Sequence, residues 1–185
     1  MNNNKKNYLL SKKIINIYSD VGVVSAFVSP GSRNTPLMLA LSDQNKIKVY
    51  NIIDERSSGY LALGLSKISK VPSLLITTSG TAVSNLFPSV VEAYMSSNSM
   101  IVLTADRPKN LIGTGANQTI NQTNIFKEYV NEFIDMSDVE KENIFNTLNK
   151  SYYQAMGYYD LNKGPIHINI PFEAPLHLEN RSNIK

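Results

Sequence analysis

Short β-branched apolar runs alternate along this chain with stretches whose apolar residues recur at helical spacing. Residues 23–28, 49–53, 73–77 and 100–104 are too short for helices and rich in Val, Ile, Leu and aromatic residues, so they read as buried strands. Leu10, Ile14 and Ile17 form a helical stripe that stops near Gly22, a natural C-terminal breaker. Leu37 to Leu41 supply the apolar positions of a second helix, with Pro36 in its first turn and Thr35 as its cap. Leu61, Leu65 and Ile68 lie on one stripe of a third helix. Val83, Leu86, Phe87, Val90 and Tyr94 mark a mostly buried fourth, which Pro88 is expected to bend. Ile125, Tyr129 and Phe133 suggest another helix, and residues 133–136 a short strand after it. Ile144, Leu148, Tyr152, Ala155 and Tyr159 define the last helix, and residues 164–171 a final strand of alternating character. The alternation predicts an α/β fold, a doubly wound and mainly parallel sheet with helices on both faces. In such sheets the loops at the carboxyl ends of the strands line one rim, where sites are built.

Four of those loops carry chemistry. The strand at residues 49–53 breaks into Asp54-Glu55-Arg56, three charges where a helix begins. Two readings stand for Glu55: a site carboxylate at a strand end, or a helix-start acid beside the N-cap Asp54 that favours the helix dipole. Residues 29–36 crowd two prolines, a glycine and Arg33 into one loop, more constraint than a plain connection needs. Residues 78–82, Thr-Ser-Gly-Thr-Ala, are small enough for close backbone approach, but lack the spacing and lysine of a P-loop. Ala105-Asp-Arg-Pro108 leads into a polar stretch, residues 109–123, which reads as a long ordered loop. Gly113-Thr-Gly115 has neither the strand nor the third glycine of a dinucleotide fingerprint. His167 reads as a hydrogen-bonded structural histidine, and His177 is joined to it by no acid cluster, so no metal site is expected.

The 185 residues suit one domain, and a 42% apolar fraction is enough for an ordinary core. A net charge of +3 comes from scattered lysines without a basic, aromatic-interleaved stripe, which argues against nucleic-acid binding. The absence of cysteine excludes disulfides and thiolate chemistry. No apolar run is long enough to span a bilayer, so a cytoplasmic protein is expected. Arginine changes the picture more. Its four positions are Arg33, Arg56, Arg107 and Arg181, and the first three follow predicted strands. A planar fork suits carboxylates and phosphates better than lysine does. Pairing with Asp54 and Asp106 is the competing explanation.

Six motifs then occur in order: Pro30-Gly-Ser-Arg-Asn-Thr-Pro36, Asp54-Glu-Arg-Ser-Ser-Gly-Tyr60, Thr78-Ser-Gly-Thr-Ala82, Ala105-Asp-Arg-Pro108, Gly115-Ala-Asn-Gln-Thr-Ile-Asn-Gln122 and Gly164-Pro-Ile-His-Ile-Asn-Ile-Pro-Phe172. Together, from about Leu10 to Leu176, they resemble the N-terminal, pyrimidine-binding domain of the menaquinone-pathway 2-succinyl-5-enolpyruvyl-6-hydroxy-3-cyclohexene-1-carboxylate synthases, which are thiamine-diphosphate enzymes. The resemblance implies a pyrimidine-binding domain over residues 1–178, and a tail or linker over 179–185. It implies that Glu55 is catalytic, hydrogen-bonding the cofactor's aminopyrimidine nitrogen and promoting the imino tautomer that removes the thiazolium proton. Pro30, Ser79 and Gly80 would join Glu55 in holding the cofactor. Ser32, Arg33, Arg107, Asn117 and Gln118 match substrate-lining positions, for decarboxylation of 2-oxoglutarate and addition to isochorismate. Mg2+ or Mn2+ would be held through a Gly-Asp-Gly motif in a diphosphate-binding domain, and that motif does not occur here. The expectation is therefore a fragment or stand-alone subunit of a transferase, inactive alone. It would meet the diphosphate-binding domain of a neighbouring chain in a homodimer or homotetramer. Two alternatives stay open: the pyrimidine subunit of another thiamine-diphosphate 2-oxoacid decarboxylase or carboligase, and a non-catalytic α/β interaction module.

Overall fold

The computed structural model describes residues 2–159 and 161–178, so the expected tail and Arg181 lie outside the described residues. Six strands, β1 Ser25–Val28, β2 Lys48–Asn51, β3 Ser73–Thr77, β4 Met100–Asp106, β5 Glu132–Asp135 and β6 Pro165–Pro171, form one sheet in the order β2-β1-β3-β4-β6-β5. Every neighbouring pair is parallel. The helices are α1 Asn3–Asp20, α2 Thr35–Ser42, α3 Glu55–Ser69, α4 Thr81–Ser84, α5 Phe87–Met95 and α6 Ile144–Ala155. The doubly wound α/β reading holds.

Period-two alternation along the strands divides the interior into two cores. Ala26, Val28, Leu74, Ile76, Ile101, Leu103, Ile166 and Ile168 face one side, where Ile14, Leu37, Leu41 and Leu148 from α1, α2 and α6 cover them. Phe27, Leu75, Met100 and Val102 face the other, under Ala62, Leu63, Val83, Leu86 and Val90 from α3, α4 and α5. Because helices cover both faces, the alternation in β6 is not one of exposure: Pro165 through Ile170 are all buried. The polar members of that strand, His167 and Asn169, must therefore find partners inside.

Four local readings need correction. Asn34, not Thr35, is the N-cap of α2, and its side chain serves the preceding loop instead, donating to the Ser29 carbonyl at 2.9 Å and accepting from Gly31 N–H at 3.0 Å. Pro88 does not bend one helix but sits in the first turn of a second, because the missing N–H costs nothing there. Residues 125–133 form only a 3-10 turn at Lys127–Tyr129 before β5, so the helix expected there is absent. Tyr159 lies beyond α6 and is 61% exposed.

The third helix is the largest reversal. Two of its three stripe residues point outward, Leu61 50% and Ile68 81% exposed, while Leu65 packs partly against the core and Ser58, Gly59, Ala62, Leu63 and Ser66 face the protein. Small residues let α3 lie close to α5 and to the sheet. A Cβ built on Gly59 meets Ser89 Cβ at 2.8 Å and Ser89 Oγ at 2.1 Å.

That contact yields a direct test. Gly59→Val should overpack the α3–α5 seam and destabilise the fold by about 1–3 kcal/mol. Combining it with Ser89→Gly should restore part of the loss. Urea unfolding of the single and double variants checks both, and a single variant as stable as the parent would mean the helices are free to move apart.

Candidate functional site

The sheet order sets the crevice. The chain runs from β1 out to the edge strand β2 and returns to β3 on the other side of β1, so the topological switch lies between β1 and β3. At the carboxyl ends of these strands, Ser29 Oγ and Thr77 Oγ1 are buried without a hydrogen-bond partner. Orphaned buried hydroxyls are uncommon and call for a reason. The two loops touch there: a Cβ on Gly31 meets the Thr78 side chain at 2.5 Å.

Beside the crevice the loop at residues 78–80 is clamped from the neighbouring strand β4. Arg107, two-thirds of the way along the rim at the end of β4, donates from Nη1 to Ser79 Oγ and, at 2.9 Å, to the Gln118 carbonyl. Gln118 Nε2 donates back to the Ser79 carbonyl at 3.0 Å. Gln118 holds a left-handed backbone, φ +57°, which a non-glycine residue keeps only when its surroundings fix it. Gly80 has φ +81°, and a Cβ there would meet the Gln118 carbonyl at 2.9 Å. Only glycine fits this crossing.

Beneath the clamp runs a buried polar column. Gly80 N–H donates to Gln122 Oε1 at 2.9 Å, and Gln122 Nε2 donates to Asn169 Oδ1 at 2.9 Å. Asn169 Oδ1 also accepts from Thr104 Oγ1 at 2.9 Å, and Asn169 Nδ2 donates to Asp106 Oδ2 at 2.9 Å. The other Asp106 oxygen accepts from Arg107 N–H at 2.7 Å. Burial pushes the Asp106 carboxyl up, against the lowering effect of the Asn169 and Arg107 hydrogen bonds. Thr104 Oγ1 lies 2.8 Å from His167 Nε2, and rings of Phe126 and Phe133 pack on the imidazole at 4.7 and 5.0 Å. Burial alone drives His167 down to about 3, so it is neutral at ordinary pH.

Arg33 completes the charged side. Its Nη1 donates to the Phe172 carbonyl at 2.6 Å, and its Nε is buried without a partner. Burial lowers its pKa, and the positive charge of Arg107 lowers it further, so the two guanidinium groups feel each other. The two ion pairs among the described residues are Lys46–Asp20 and Lys109–Asp138, and neither uses an arginine. No arginine side chain thus forms a direct ion pair with Asp54 or Asp106 among the described residues, although the Asp106 charge acts on both Arg33 and Arg107. Two neighbouring guanidinium groups whose forks are not closed by a direct carboxylate ion pair can receive an anion.

Glu55 stands at the next strand end along the rim. Asp54 caps α3 through a 2.8 Å bond from Ser57 N–H, which with the nearby Arg56 holds its carboxyl below the usual range. Glu55 itself is half-buried in the first turn, and its Oε2 accepts from Asn85 Nδ2 at 3.1 Å. Its other oxygen has no protein partner among the described residues.

Of the expected site residues, the fold joins Ser79, Gly80, Arg107 and Gln118 by direct hydrogen bonds and couples Arg33 to them electrostatically. Pro30 and Ser32 are exposed on the neighbouring loop, and Asn117 is exposed beside Gln118. Glu55 shares the rim but no hydrogen bond with the arginines. Arg56 is exposed on α3 and outside the cluster. The motif reading assigned no role to Gln122, Asn169 or Asn85. Polar residues repeating every second position within a strand, Thr104 and Asp106 or His167 and Asn169, were the available signal for the column. Asn85 had none, since it depends on the break between α4 and α5.

Residues 10–125 match the model of the thiamine pyrophosphate enzyme N-terminal TPP binding domain. The chain belongs to that family. It is 40% identical over 189 residues to the 2-succinyl-5-enolpyruvyl-6-hydroxy-3-cyclohexene-1-carboxylate synthase of Prochlorococcus marinus (strain AS9601), covering 97% of this chain and 32% of that one. The synthase of the same name from Listeria innocua is 43% identical over 84% of this chain and 27% of its own length, and that of Thermobifida fusca 42% over 90% and 31%. The chain therefore spans about a third of the length of the curated relatives it matches.

The column also carries a pH signature. His167 is ordinary, near 6.5, once unfolded, and about 3 when folded. The unfolded chain therefore binds the extra proton, and the stability from the neutral buried ring is full above pH 6.5 and lost as pH falls toward 3. The parent should lose stability over that window more steeply than His167→Gln, by up to about 1.4 kcal/mol per pH unit. Urea unfolding of both proteins from pH 7 to 4 measures it. Parallel profiles would mean the imidazole is not buried neutral.

Proposed function

We propose that this chain is the pyrimidine-binding domain of a menaquinone-pathway 2-succinyl-5-enolpyruvyl-6-hydroxy-3-cyclohexene-1-carboxylate synthase. Its rim would serve decarboxylation of 2-oxoglutarate and addition to isochorismate. The observation that carries the reading is Arg33 and Arg107 standing near each other, with no direct carboxylate ion pair among the described residues, on the rim that also holds Glu55. Both substrates are carboxylates, and an arginine fork binds them with a geometry lysine cannot offer.

The residues present fit the cofactor's pyrimidine end. Glu55 offers a carboxylate oxygen with no protein partner, at a strand end beside a crevice with two orphaned buried hydroxyls, Ser29 Oγ and Thr77 Oγ1. When bound, thiamine diphosphate supplies a thiazolium carbon that can lose its proton and attack a 2-oxo acid. Glu55 would hold a proton between its carboxylate and the pyrimidine ring nitrogen, a role an amide cannot cycle through. Asn85 fixes the carboxylate's rotamer from its other oxygen. Pro30, Ser79 and Gly80 would form the wall against the ring, with Gly80 allowing close backbone approach. Arg107 spends Nη1 on Ser79 and Gln118, leaving Nη2 and Nε for a substrate carboxylate. Ser32, Arg33, Asn117 and Gln118 would complete that pocket.

The domain assignment, residues 1–178 with a tail or linker over 179–185, belongs to the same proposal. The diphosphate, with its Mg2+ or Mn2+, would fall to the diphosphate-binding domain of a neighbouring chain. The outward face of α3 supports such a partner: Leu61 and Ile68, and Ile53, 87% exposed just before the helix, are uncovered apolar side chains. No helix among the described residues is long and apolar enough to cross a membrane.

Glu55→Gln in the enzyme assembled from this domain and its diphosphate-binding partner tests the reading. Hydrogen–deuterium exchange at the thiazolium carbon should slow by about 10²–10⁴-fold with the fold intact. Exchange at the parental rate would leave Glu55 as a helix-start acid only.

Arg107→Lys separates substrate from cofactor. Replacing a charged fork by a point charge should cost about 1.5–3 kcal/mol, roughly ten- to hundredfold in kcat/KM for the acid substrates, with little change in cofactor affinity. Steady-state kinetics and cofactor titration read the two separately. A fall in cofactor affinity with unchanged substrate constants would remove Arg107 from the substrate site.

A further inference from the structure

A second cavity, about 550 Å3, opens on the opposite side of the sheet from α3, between α1 and the segment that joins β5 to α6. Its volume lies within the range of small-molecule sites, about 300–1,000 Å3. One wall is a single face of α1, where Lys6, Leu9, Leu10 and Lys13 recur at helical spacing. The other wall is Met136, Val139, Lys141 and Ile144. Apolar side chains thus make the floor and three lysines the rim.

The rim is arranged rather than incidental. Lys13 Nζ donates to the Lys141 carbonyl at 3.1 Å, which ties the two walls together across the opening and leaves two of its donors unused. Among the described residues Lys6, Lys13 and Lys141 form no ion pair, and no carboxylate lines the cavity. Of the acids close by in sequence, Asp138 pairs with Lys109 at 2.6 Å, Glu140 accepts from Asn143 at 3.0 Å and Asp135 accepts from Ser137, while Glu142, next to Lys141, is exposed and outside the lining. An apolar floor rewards burial of hydrocarbon, and an uncompensated cationic rim rewards an anionic head.

We infer that this cavity binds a small organic acid, one carboxylate on an apolar body, with the head at Lys6, Lys13 and Lys141 and the body against Leu10, Met136 and Ile144. The site is separate from the Glu55 rim, and the inference stands whether or not the proposed synthase activity does. A neutral ligand of the same shape would leave the three cations without a partner. A short dianion would leave the floor without one.

Decanoate, with 1-decanol as its neutral counterpart, is the probe. Titration of the full chain by calorimetry should give saturable binding of decanoate at one site, at least tenfold tighter than 1-decanol. Lys6→Gln, Lys13→Gln and Lys141→Gln combined should weaken decanoate at least tenfold, with far-ultraviolet circular dichroism unchanged. Leu10→Glu should weaken both ligands, which keeps the test sensitive if the lysine variant misfolds. Equal affinity for acid and alcohol, or decanoate binding indifferent to the lysines, would overturn the inference. So would binding of the chain to phosphatidylglycerol vesicles that free decanoate does not displace, since the Lys-Leu face of α1 would then be a lipid-surface contact.

Discussion

The side-chain amide of Asn169 holds the rim together. It lies on a central strand, 1% exposed, and its carbonyl accepts from Thr104 and Gln122 while its amino group donates to Asp106. Each partner reaches a different loop. Through Gln122 the amide fixes the Gly80 N–H, and through Asp106 it fixes the backbone N–H of Arg107. A buried polar group of this kind contributes modestly while every bond is made and costs about 1–3 kcal/mol for each one broken. The interactions are therefore more selective than stabilising: they admit one arrangement of the loops at residues 78–80 and 107–122 and penalise others. Arg107 inherits its position from this, since its Ser79 and Gln118 contacts lie on loops the column already holds.

The same economy shapes the helices. On the α3 side, the sheet face already carries His167, Asn169 and Thr104, which fill space without adding apolar surface. The helix over β1 and β3 comes in close through Gly59, Ala62 and Ser66. Close approach seats the N-terminus of α3, and with it Glu55, against the turn that carries Asn85. It also leaves the larger side chains of that helix, Tyr60, Leu61 and Ile68, facing away from the core.

Much of this was legible in the residues. The strands showed because runs such as residues 73–77 and 100–104 are short and apolar, the composition that a sheet covered on both faces favours. Asp54 as a cap showed because its chemistry is local. What stayed hidden depended on distance in the sequence. The outward stripe of α3 could not be separated from a core stripe, because hydrophobic periodicity reports only that a helix has an apolar side. The split at Pro88 hid for a related reason: proline suits a first turn as well as it breaks an interior one, and only the shift of the Leu86 N–H to the Val83 carbonyl, three residues back, marks the break. Asn34 looked like an ordinary loop residue, yet its side chain bonds back to Ser29 and Gly31 and leaves the cap role unused. The site residues at 79–80, 107 and 118 were found as separate motifs, whereas the column joining them spans strands β4 and β6 and a loop, a contact order no local pattern encodes.

The outward stripe and the half-buried Glu55 are one fact seen from two sides. A carboxylate that shares a proton with a ring nitrogen does so best where water is excluded, because water competes for the same hydrogen bond and screens the charge. Among the described residues Asn85 holds one oxygen and none bonds the other, so under the proposed function the cover would come from elsewhere. Ile53, just before the Asp54 cap, and Leu61, on the outward face of the same helix, present exposed apolar surface that a covering partner would bury. The arginine side of the rim needs no such cover, because Arg33 and Arg107 are already half-buried and tied to the Phe172 and Gln118 carbonyls. The arginine end of the rim is thus held by contacts within the chain and the Glu55 end stays open among the described residues; under the proposed function a second protein surface would close it.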